Sequence, residues 1–240
     1  MNFNEKNSHY RDAQLNFDEA SHTYTVNGEE YISVTTLVDK CFEQFDADYW
    51  AKKKAPSLGM TPQAVKDMWQ RKGDEAAALG SKLHNMIERY YLGLPNESDP
   101  AYSLFKQFAG HRVLTPYRTE WAIFDEDHKV AGTLDFLNYE NGVFTIYDWK
   151  RSNKVIASGR PEKISRYGKR ALRPISHIPD TTYWHYALQV SIYRYILETK
   201  YGINVQDGHL AVFHPDYDTP YLVDVPYLRD EVVAVLNNKE

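Results

Sequence analysis

The sequence predicts an α/β protein in which a central mixed β-sheet is flanked by helices. Three observations lead to this fold class. An alternating apolar and polar segment opens the chain, a long stretch with helical periodicity follows, and a block of strand-like segments occupies the middle. A helical segment and further strand-like segments complete the order, and this interleaving is typical of an α/β sandwich.

Length and composition fit one domain with elaborations. With 240 residues, 42% of them hydrophobic, the chain can bury a full core. The formal charge of -5 excludes broad electrostatic coating of nucleic acid, so any contact with a polyanion must be local. The single cysteine, Cys41, excludes an internal disulfide and a four-cysteine iron–sulfur cluster. The polar N-terminus and the lack of a long apolar run predict a soluble, intracellular protein without membrane contact.

The first 60 residues predict a β-hairpin followed by helical elaboration. Residues 15 to 38 alternate around Asn27-Gly28, a dipeptide that accepts the positive backbone angles of a tight turn.

A helical region is predicted next. Thr61-Pro62 offers an N-cap followed by a first-turn proline, and apolar residues recur with helical spacing to about Leu92. Gly73 and Gly80 interrupt this stretch and predict two helices rather than one. After a polar connector, residues 101 to 109 predict a short helix.

The middle of the chain predicts an antiparallel meander. Short polar turns separate three alternating segments. The predicted strands are Arg118 to Phe124, Val130 to Tyr139 and Val143 to Trp149.

A polar, basic insertion over residues 151 to 180 follows the meander. A helix is then predicted from Thr181 or Thr182 to about Tyr201, ended by Gly202. The last predicted elements are strands at His209 to Phe213 and near Tyr221 to Val225, and a helix after Pro226.

Two carboxylates and a lysine are the first candidates for chemistry. Side chains two apart in a strand share a face, so Asp148 and Lys150 point together and Trp149 points to the opposite layer. A short turn brings Asp135 alongside, within reach of the same cation. Hard cations such as Mg²⁺ prefer oxygen ligands, so two carboxylates and a backbone carbonyl suffice. The alternative for an isolated Asp-x-Lys tripeptide is a solvated strand end with a weak surface ion pair.

Further polar residues lie at compatible positions. His84 and Glu88 are four residues apart and share a helical face, as do Gln189 and Tyr193 on an aromatic-rich helix. Glu120 opens the strand block. Taken singly, each has a structural alternative. His84 is compatible with a partly buried structural histidine, Gln189 and Tyr193 with the polar edge of an amphipathic helix, and Glu120 with a solubility residue at a strand edge.

Together these residues form five motifs over roughly Gly80 to Gly202. They are Gly80-x-x-x-His84-x-x-x-Glu88, Glu120, Gly132-x-x-Asp135, Asp148-x-Lys150 and Gln189-x-x-x-Tyr193. Their order and spacing resemble the RecB-like exonuclease branch of the PD-(D/E)XK nuclease superfamily, and the N-terminal hairpin resembles the leader of its phage and large-virus members. The resemblance implies a single nuclease domain over residues 1–240, with an N-terminal elaboration at 1–60 and a restriction-endonuclease-like core at 61–240.

The resemblance also implies roles for these residues. The implied metal ligands are His84, Asp135, Asp148 and the backbone carbonyl of Trp149. The implied catalytic residues are Lys150, Asp148, Asp135, Glu120, Gln189 and Tyr193, with Glu88 supporting the site from outside the ligand set. The implied cofactor is Mg²⁺, for which Mn²⁺ substitutes. The iron–sulfur cysteines of several relatives are missing, so no cluster is expected.

The implied activity is hydrolysis of DNA phosphodiesters by metal-activated water, leaving 5′-phosphates. An exonuclease on single strands or DNA ends is the first interpretation. A catalytically silent nucleic-acid-binding scaffold of the same fold and a structure-specific endonuclease stay open as alternatives. Loss of Asp148 or Lys150 would favour the scaffold, and both are present. Protein partners in replication or recombination are compatible with all three, and oligomeric state and strand polarity stay open.

The insertion supplies local positive charge. Between Arg151 and Arg173 there are eight basic residues and one acid, and this cluster directly follows Lys150. The expected nucleic-acid-binding residues are Arg151, Lys154, Arg160, Lys163, Arg166, Tyr167, Lys169, Arg170 and Arg173, with Tyr167 stacking on an unpaired base. Residues 52 to 54, three lysines beside Tyr49-Trp50, are a second candidate contact. A solvated surface is the alternative for both segments.

Overall fold

The N-terminal elements form one edge of the sheet. The structure, a computed structural model, describes residues 2–238. Helix α1 (Phe3–Lys6) and a 3₁₀ helix (Tyr10–Gln14) precede three antiparallel strands, β1 (Leu15–Asp18), β2 (Thr23–Val26) and β3 (Glu29–Ser33). The predicted turn at Asn27-Gly28 joins β2 to β3, and both of its residues have positive φ, 50° and 86°.

The alternating pattern predicted a β-hairpin up to residue 38, and this prediction is wrong for residues 34 to 38, which are helical. Helix α2 (Val34–Lys40) begins directly after β3, because the Ser33 side chain accepts a hydrogen bond from the Thr36 amide and caps the helix. Helix α3 (Ala47–Leu58) follows and ends at Gly59 in the left-handed conformation.

Helix α4 (Pro62–Tyr91) is continuous over 30 residues, so the predicted break at Gly73 and Gly80 was wrong. Thr61 caps it as predicted, accepting from the Ala64 amide. A Cβ built at either glycine would meet nothing within 4 Å. Each glycine therefore costs the helix about 1 kcal/mol of intrinsic propensity and does not interrupt it. Helix α5 (Pro100–His111) then packs against α4.

The central sheet confirms the predicted meander and the mixed topology. Its remaining strands are β4 (Pro116–Asp125), β5 (Val130–Glu140), β6 (Val143–Lys150), β9 (Val205–Val212) and β10 (Tyr221–Val225). Strands β4, β5 and β6 are antiparallel neighbours, β9 is parallel to β6, and β10 returns antiparallel to β9. The basic insertion contributes a two-residue ladder between β7 (Ile156–Ala157) and β8 (Arg160–Pro161) and an isolated bridge between Arg170 and Pro179.

Strand β5 has a gap on one of its edges. Strand β4 pairs with it along one edge from Val130 to Asn138. On the other edge, β3 pairs with Val130 and Ala131, and β6 pairs only from Phe136 onward. Residues 132 to 135 therefore lie in a gap between β3 and β6, where side chains from the helices can approach the strand.

Helices cover both faces of the sheet. One face packs against α2, α6 (Thr182–Lys200) and α7 (Arg229–Leu236). The opposite face packs against α4 and α5, and Trp149 is fully buried there beside Phe105 and Phe136, as its predicted orientation required. The fold is consistent with a restriction-endonuclease-like core. Within residues 2–238, no helix combines the length and apolarity needed to cross a membrane.

Candidate metal centre and groove

Three side chains from separate elements converge at the gap in the sheet. His84 comes from α4, Glu120 from β4 and Asp135 from β5. The Nδ1 atom of His84 lies 3.5 Å from Asp135 Oδ1 and 3.6 Å from Glu120 Oε1. One ligand atom of each residue lies within 4.8 Å of the other two, a spacing that allows them to share a divalent cation. We call these three residues the metal centre.

The imidazole of His84 is held from its other side. Its Nε2 lies 2.8 Å from the main-chain oxygen of Trp149, to which it donates a hydrogen bond. This bond directs Nδ1 toward the carboxylates, in the way that a backbone carbonyl commonly orients a metal-binding histidine. Two of the predicted ligands therefore touch each other. The carbonyl oxygen keeps a second lone pair for another partner.

Glu120 adopts an unusual backbone conformation for a strand residue, with φ at 44°. Its neighbours Thr119 and Trp121 pair with Phe136 and Leu134, so Glu120 lies opposite Asp135. A non-glycine residue in this region costs about 1–3 kcal/mol and persists only where its surroundings enforce it. The sequence placed Glu120 among the catalytic residues, and the structure brings it directly to the metal centre.

Asp148 and Lys150 form a buried pair beside the centre. Lys150 Nζ lies 2.7 Å from Asp148 Oδ2, which confirms that the two side chains share a face. Asp148 is only 1% exposed; its Oδ2 is paired with Lys150, and its Oδ1 is buried without a hydrogen bond from any residue in the range 2–238. The ammonium group also lies 4.6 Å from the centre of the Tyr186 ring. Asp148 is not among the three residues whose ligand atoms meet within 4.8 Å.

Burial and mutual repulsion govern the charges at this site. Burial raises the pKa of both Asp135 and Asp148, against the attraction of His84 and Lys150. Burial alone would lower the pKa of Lys150, but Asp148 and Asp135 outweigh it and raise the pKa. For His84, too, burial lowers the pKa, whereas Asp135 and Glu120 raise it to about 9. Without a metal, a protonated His84 supplies one positive charge to the carboxylates, and a divalent cation supplies two.

Helix α6 brings Gln189 and Tyr193 to the same place. The Gln189 amide donates to the Tyr193 hydroxyl at 3.2 Å. Tyr193 packs against Gly132, where an added Cβ would lie 2.9 Å from its ring and 3.0 Å from Val34. Glycine is therefore required on β5 for the tyrosine to approach. Burial raises the pKa of Tyr193, as do Asp135 and Asp148, so its hydroxyl keeps its proton.

The metal centre lies in a groove with two arms. Two cavities of about 550 and 780 Å³ meet over His84, Lys150 and Gln189, which line both of them. The smaller cavity, the basic arm, is further lined by Arg151, Ser152, Asn153, Lys154, His185 and His214. The larger cavity, the hairpin arm, is lined by all three residues of the metal centre. It is further lined by Phe17, Glu19, His22, Tyr24 and Glu88.

The groove receives only part of the predicted nucleic-acid surface. Arg151 and Lys154 line the basic arm. The other seven predicted residues line neither cavity; they are Arg160, Lys163, Arg166, Tyr167, Lys169, Arg170 and Arg173. Lysines 52 to 54 also lie outside the groove, on α3.

Several of these residues have local partners instead. Lys169 pairs with Glu43 at 2.7 Å, Arg166 pairs with Glu162 at 2.6 Å, and Arg170 donates to the His177 carbonyl at 2.8 Å. Tyr167 is 88% exposed.

The hairpin arm contains residues that the sequence did not single out. Phe17, His22 and Tyr24 come from the β1–β2 hairpin, which reaches the metal centre only because β3 pairs in parallel with the start of β5. Their alternation predicted strands but held no signal of this long-range contact. Glu88, predicted to support the site, lines the same arm, and burial raises its pKa.

Comparison with known proteins does not show a family for this chain. No family model matches the sequence, and no curated protein matches it. Among solved structures, the chain is similar to that of SSO0001, with 18% identity, a TM-score of 0.34, and coverage of 87% of this chain and 77% of that chain. It is also similar to the Eubacterium rectale protein named "Putative exonuclease", with 14% identity, a TM-score of 0.40, and coverage of 86% and 77% respectively. These similarities are too low to indicate an activity.

Proposed function

We propose that the protein is a divalent-metal-dependent nuclease that hydrolyses phosphodiester bonds in DNA. The observation that carries this proposal is the convergence of His84, Glu120 and Asp135 within 4.8 Å, beside the buried Asp148–Lys150 pair. A buried cluster of acids with one lysine is costly to keep in a fold unless a cation joins it. Its place at the floor of a groove makes the cluster accessible to a polymer.

The residues present fit a divalent cation. The Oδ1 atom of Asp148 is buried without a hydrogen bond from the described residues, and carboxylate oxygens are the preferred ligands of Mg²⁺. The imidazole of His84 adds a nitrogen ligand that suits Mn²⁺ better than Mg²⁺. His84, Glu120 and Asp135 would hold the cation, with Asp148 and the Trp149 carbonyl completing the set. The bound cation supplies charge stabilisation at the phosphate and a more acidic water.

The protein's own residues supply orientation. In the metal-free protein, Asp148 and Asp135 raise the pKa of Lys150, so its ammonium group is protonated and available as a cationic donor to a phosphate oxygen or a water. Asp148 fixes that ammonium group at 2.7 Å. The amide of Gln189 and the hydroxyl of Tyr193 are further donors that line the groove.

The finer proposal is an exonuclease that acts on single-stranded DNA or DNA ends and leaves 5′-phosphates. It rests on the resemblance of the five motifs to RecB-like exonucleases. A structure-specific endonuclease is the second candidate, and one observation favours it: the groove continues from the metal centre, whose three residues all line the hairpin arm, into the basic arm. A strand could therefore pass through without a free end.

Cleavage assays test the proposal. End-labelled single-stranded and duplex DNA are incubated with Mg²⁺ or Mn²⁺ and with the wild type, Asp148→Asn or Lys150→Met. We expect cleavage by the wild type and a loss of at least about 100-fold in both variants. Lys106→Met, an exposed lysine on α5, is the matched control and should cleave normally. Equal cleavage by all variants, or none by the wild type with either metal, would refute the proposal.

Covalently closed circles separate the two modes of cleavage. Circular single strands have no ends, so an exonuclease leaves them intact while it degrades the linear form of the same sequence. Cleavage of circles at the rate of linear DNA would favour the endonuclease. The same labelled linear substrates report the chemical nature of the product ends.

A further inference from the structure

The two arms of the groove differ in charge and in surface chemistry. The basic arm presents the cations of Arg151 and Lys154 and one acid, Asp39. The hairpin arm presents the carboxylates of Glu19 and Glu88 together with aromatic rings. Away from the metal centre, a phosphodiester backbone is attracted to Arg151 and Lys154 and repelled by Glu19 and Glu88. A continuous strand is therefore not equally suited to the two ends of the groove.

The rings of the hairpin arm form an ordered surface. Phe17 and Tyr24 stack with 4.4 Å between ring centres and 23° between planes, and His22 meets Phe17 edge-on at 5.2 Å. Tyr24 is buried, and its hydroxyl lies 3.0 Å from the Thr133 hydroxyl. Thr133 is two residues before Asp135 on β5, so the rings are connected to the metal centre through one strand. His22 is exposed and has a left-handed backbone, with φ at 54°.

We propose that the hairpin arm binds the terminal nucleoside of a DNA strand, with its base on the rings of Phe17 and His22 and its hydroxyl facing Glu19 or Glu88. This inference rests on the proposed nuclease function and adds a substrate end to it. A nucleobase carries no phosphate charge and stacks on aromatic rings whatever its identity. A terminal hydroxyl donates to a carboxylate, whereas a terminal phosphate is repelled by it. The basic arm then holds the phosphates of the remaining strand.

Binding measurements test this subsite separately from catalysis. Fluorescent single-stranded oligonucleotides are titrated with protein in the presence of Ca²⁺. All proteins in this experiment carry Asp148→Asn. One oligonucleotide is complete, a second lacks only the base of the terminal nucleoside at the 5′ or the 3′ end, and a third carries phosphates at both ends. We expect loss of the base to weaken binding about 5- to 100-fold, the range for a lost base stack, when the base is removed from one of the two ends. Removal of the base at the other end should have no effect. We expect the third to bind more weakly than the hydroxyl form.

Variants of the hairpin identify the surface responsible. His22→Ala and Phe17→Leu should bind the complete and the base-less oligonucleotides equally, and Glu19→Gln should reduce the penalty of the terminal phosphates. His111→Ala and Phe45→Leu, two aromatic changes outside the groove, should keep the full discrimination. Because His22 is exposed, its variant should fold even where Phe17→Leu does not, and melting temperatures verify this.

The outcomes distinguish the subsite from the nuclease. The subsite is overturned if His22→Ala still binds the complete oligonucleotide more tightly than the base-less one. It is also overturned if the Asp148→Asn protein with an unchanged hairpin binds the two equally, even when the wild type cleaves DNA. A wild type that cleaves no DNA, while its binding still depends on His22, supports the subsite and removes the nuclease function. Equal binding of hydroxyl and phosphate ends overturns the role of Glu19 and Glu88.

Discussion

The metal centre and the basic insertion differ in how many of their predicted residues reach the groove. At the metal centre, regular elements direct His84, Glu120 and Asp135 to within 4.8 Å of one another. In the insertion, residues 151 to 180, only Arg151 and Lys154 of the predicted contacts reach the groove. Strand and helix geometry fixes the direction of a side chain, whereas an irregular segment of equal charge leaves it undetermined. A motif on regular elements is therefore stronger evidence of a site than a run of charge.

The largest effect expected at the metal centre is that of Asp135→Asn. The amide oxygen can still accept the hydrogen bond from the Trp149 amide, which is 2.7 Å in the native protein, but the ligand charge is lost. We expect a weaker calorimetric affinity for Mn²⁺ and cleavage slower by at least about 100-fold.

Asp125→Asn is the matched control for that change. Asp125 is fully buried on the same strand as Glu120, but its partners are His128 at 2.6 Å and Lys200 at 3.1 Å, and it lines neither cavity of the groove. We expect it to lower the free energy of unfolding by about 3 kcal/mol and to leave the Mn²⁺ affinity unchanged. If Asp125→Asn weakens Mn²⁺ binding as much as Asp135→Asn does, the metal centre loses its distinction from an ordinary buried acid.

The metal centre should also make the free energy of unfolding depend on pH. His84 has a folded pKa of about 9 against 6.5 for the free side chain. Its contribution to stability is full below pH 6.5 and is lost as pH rises through 9, and the raised pKa values of Asp135 and Asp148 act in the same direction. Without metal, the free energy of unfolding should fall on the order of 2–3 kcal/mol between pH 6.5 and 9.5.

Chemical denaturation with and without Mn²⁺ measures this dependence. The metal competes with protons for the same ligands, so it should stabilise more at pH 8.5 than at pH 6.5. His84→Gln should flatten the metal-free profile. A profile that is equally steep in wild type and variant would assign the titration to other groups.

Sequence patterns predicted those parts of the site that depend on local geometry. Asp148 and Lys150 share a face because they are two apart in a strand, and Trp149 is buried on the opposite face for the same reason. Gln189 and Tyr193 are in contact because they are four apart in a helix. Each of these relationships is set within a few residues of chain.

The other parts depend on tertiary structure. Glu120 reaches the metal centre through a positive φ, which no sequence pattern signals for a glutamate. The hairpin rings reach the groove through the β3–β5 pairing, a contact between segments about 100 residues apart. Gly73 and Gly80 predicted a break in α4, but the caps and the packed residues of a 30-residue helix outweigh two weak propensities.

Charge removal in the basic insertion should have a medium effect on DNA affinity. Two variants compare the residues that line the groove with those that lie outside it. Arg151→Ala/Lys154→Ala removes the charges that line the basic arm, whereas Lys169→Ala/Arg170→Ala/Arg173→Ala removes charges outside it. We expect the first variant to bind single-stranded DNA about 10-fold more weakly and to lower the salt slope by about 1.4, the value for two lost phosphate contacts. The second variant should change both quantities less, although it loses more charge. Fluorescence anisotropy across a salt series provides both numbers, and a larger loss in the triple variant would restore the outer insertion as the main contact.

The smallest effect separates backbone strain from charge at Glu120. Glu120→Gly relieves the positive φ of 44° and removes the carboxylate, while Glu120→Gln keeps the strain and removes only the charge. We expect both variants to bind Mn²⁺ more weakly than wild type, because both lose a ligand. The metal-free glycine variant should be more stable than the glutamine variant by about 1 kcal/mol, since glycine adopts this conformation without a steric cost. Equal metal-free stability would mean that the conformation is not strained, and equal Mn²⁺ affinity of wild type and Glu120→Gln would remove Glu120 from the ligand set, leaving His84 and Asp135 to rely on Asp148 instead.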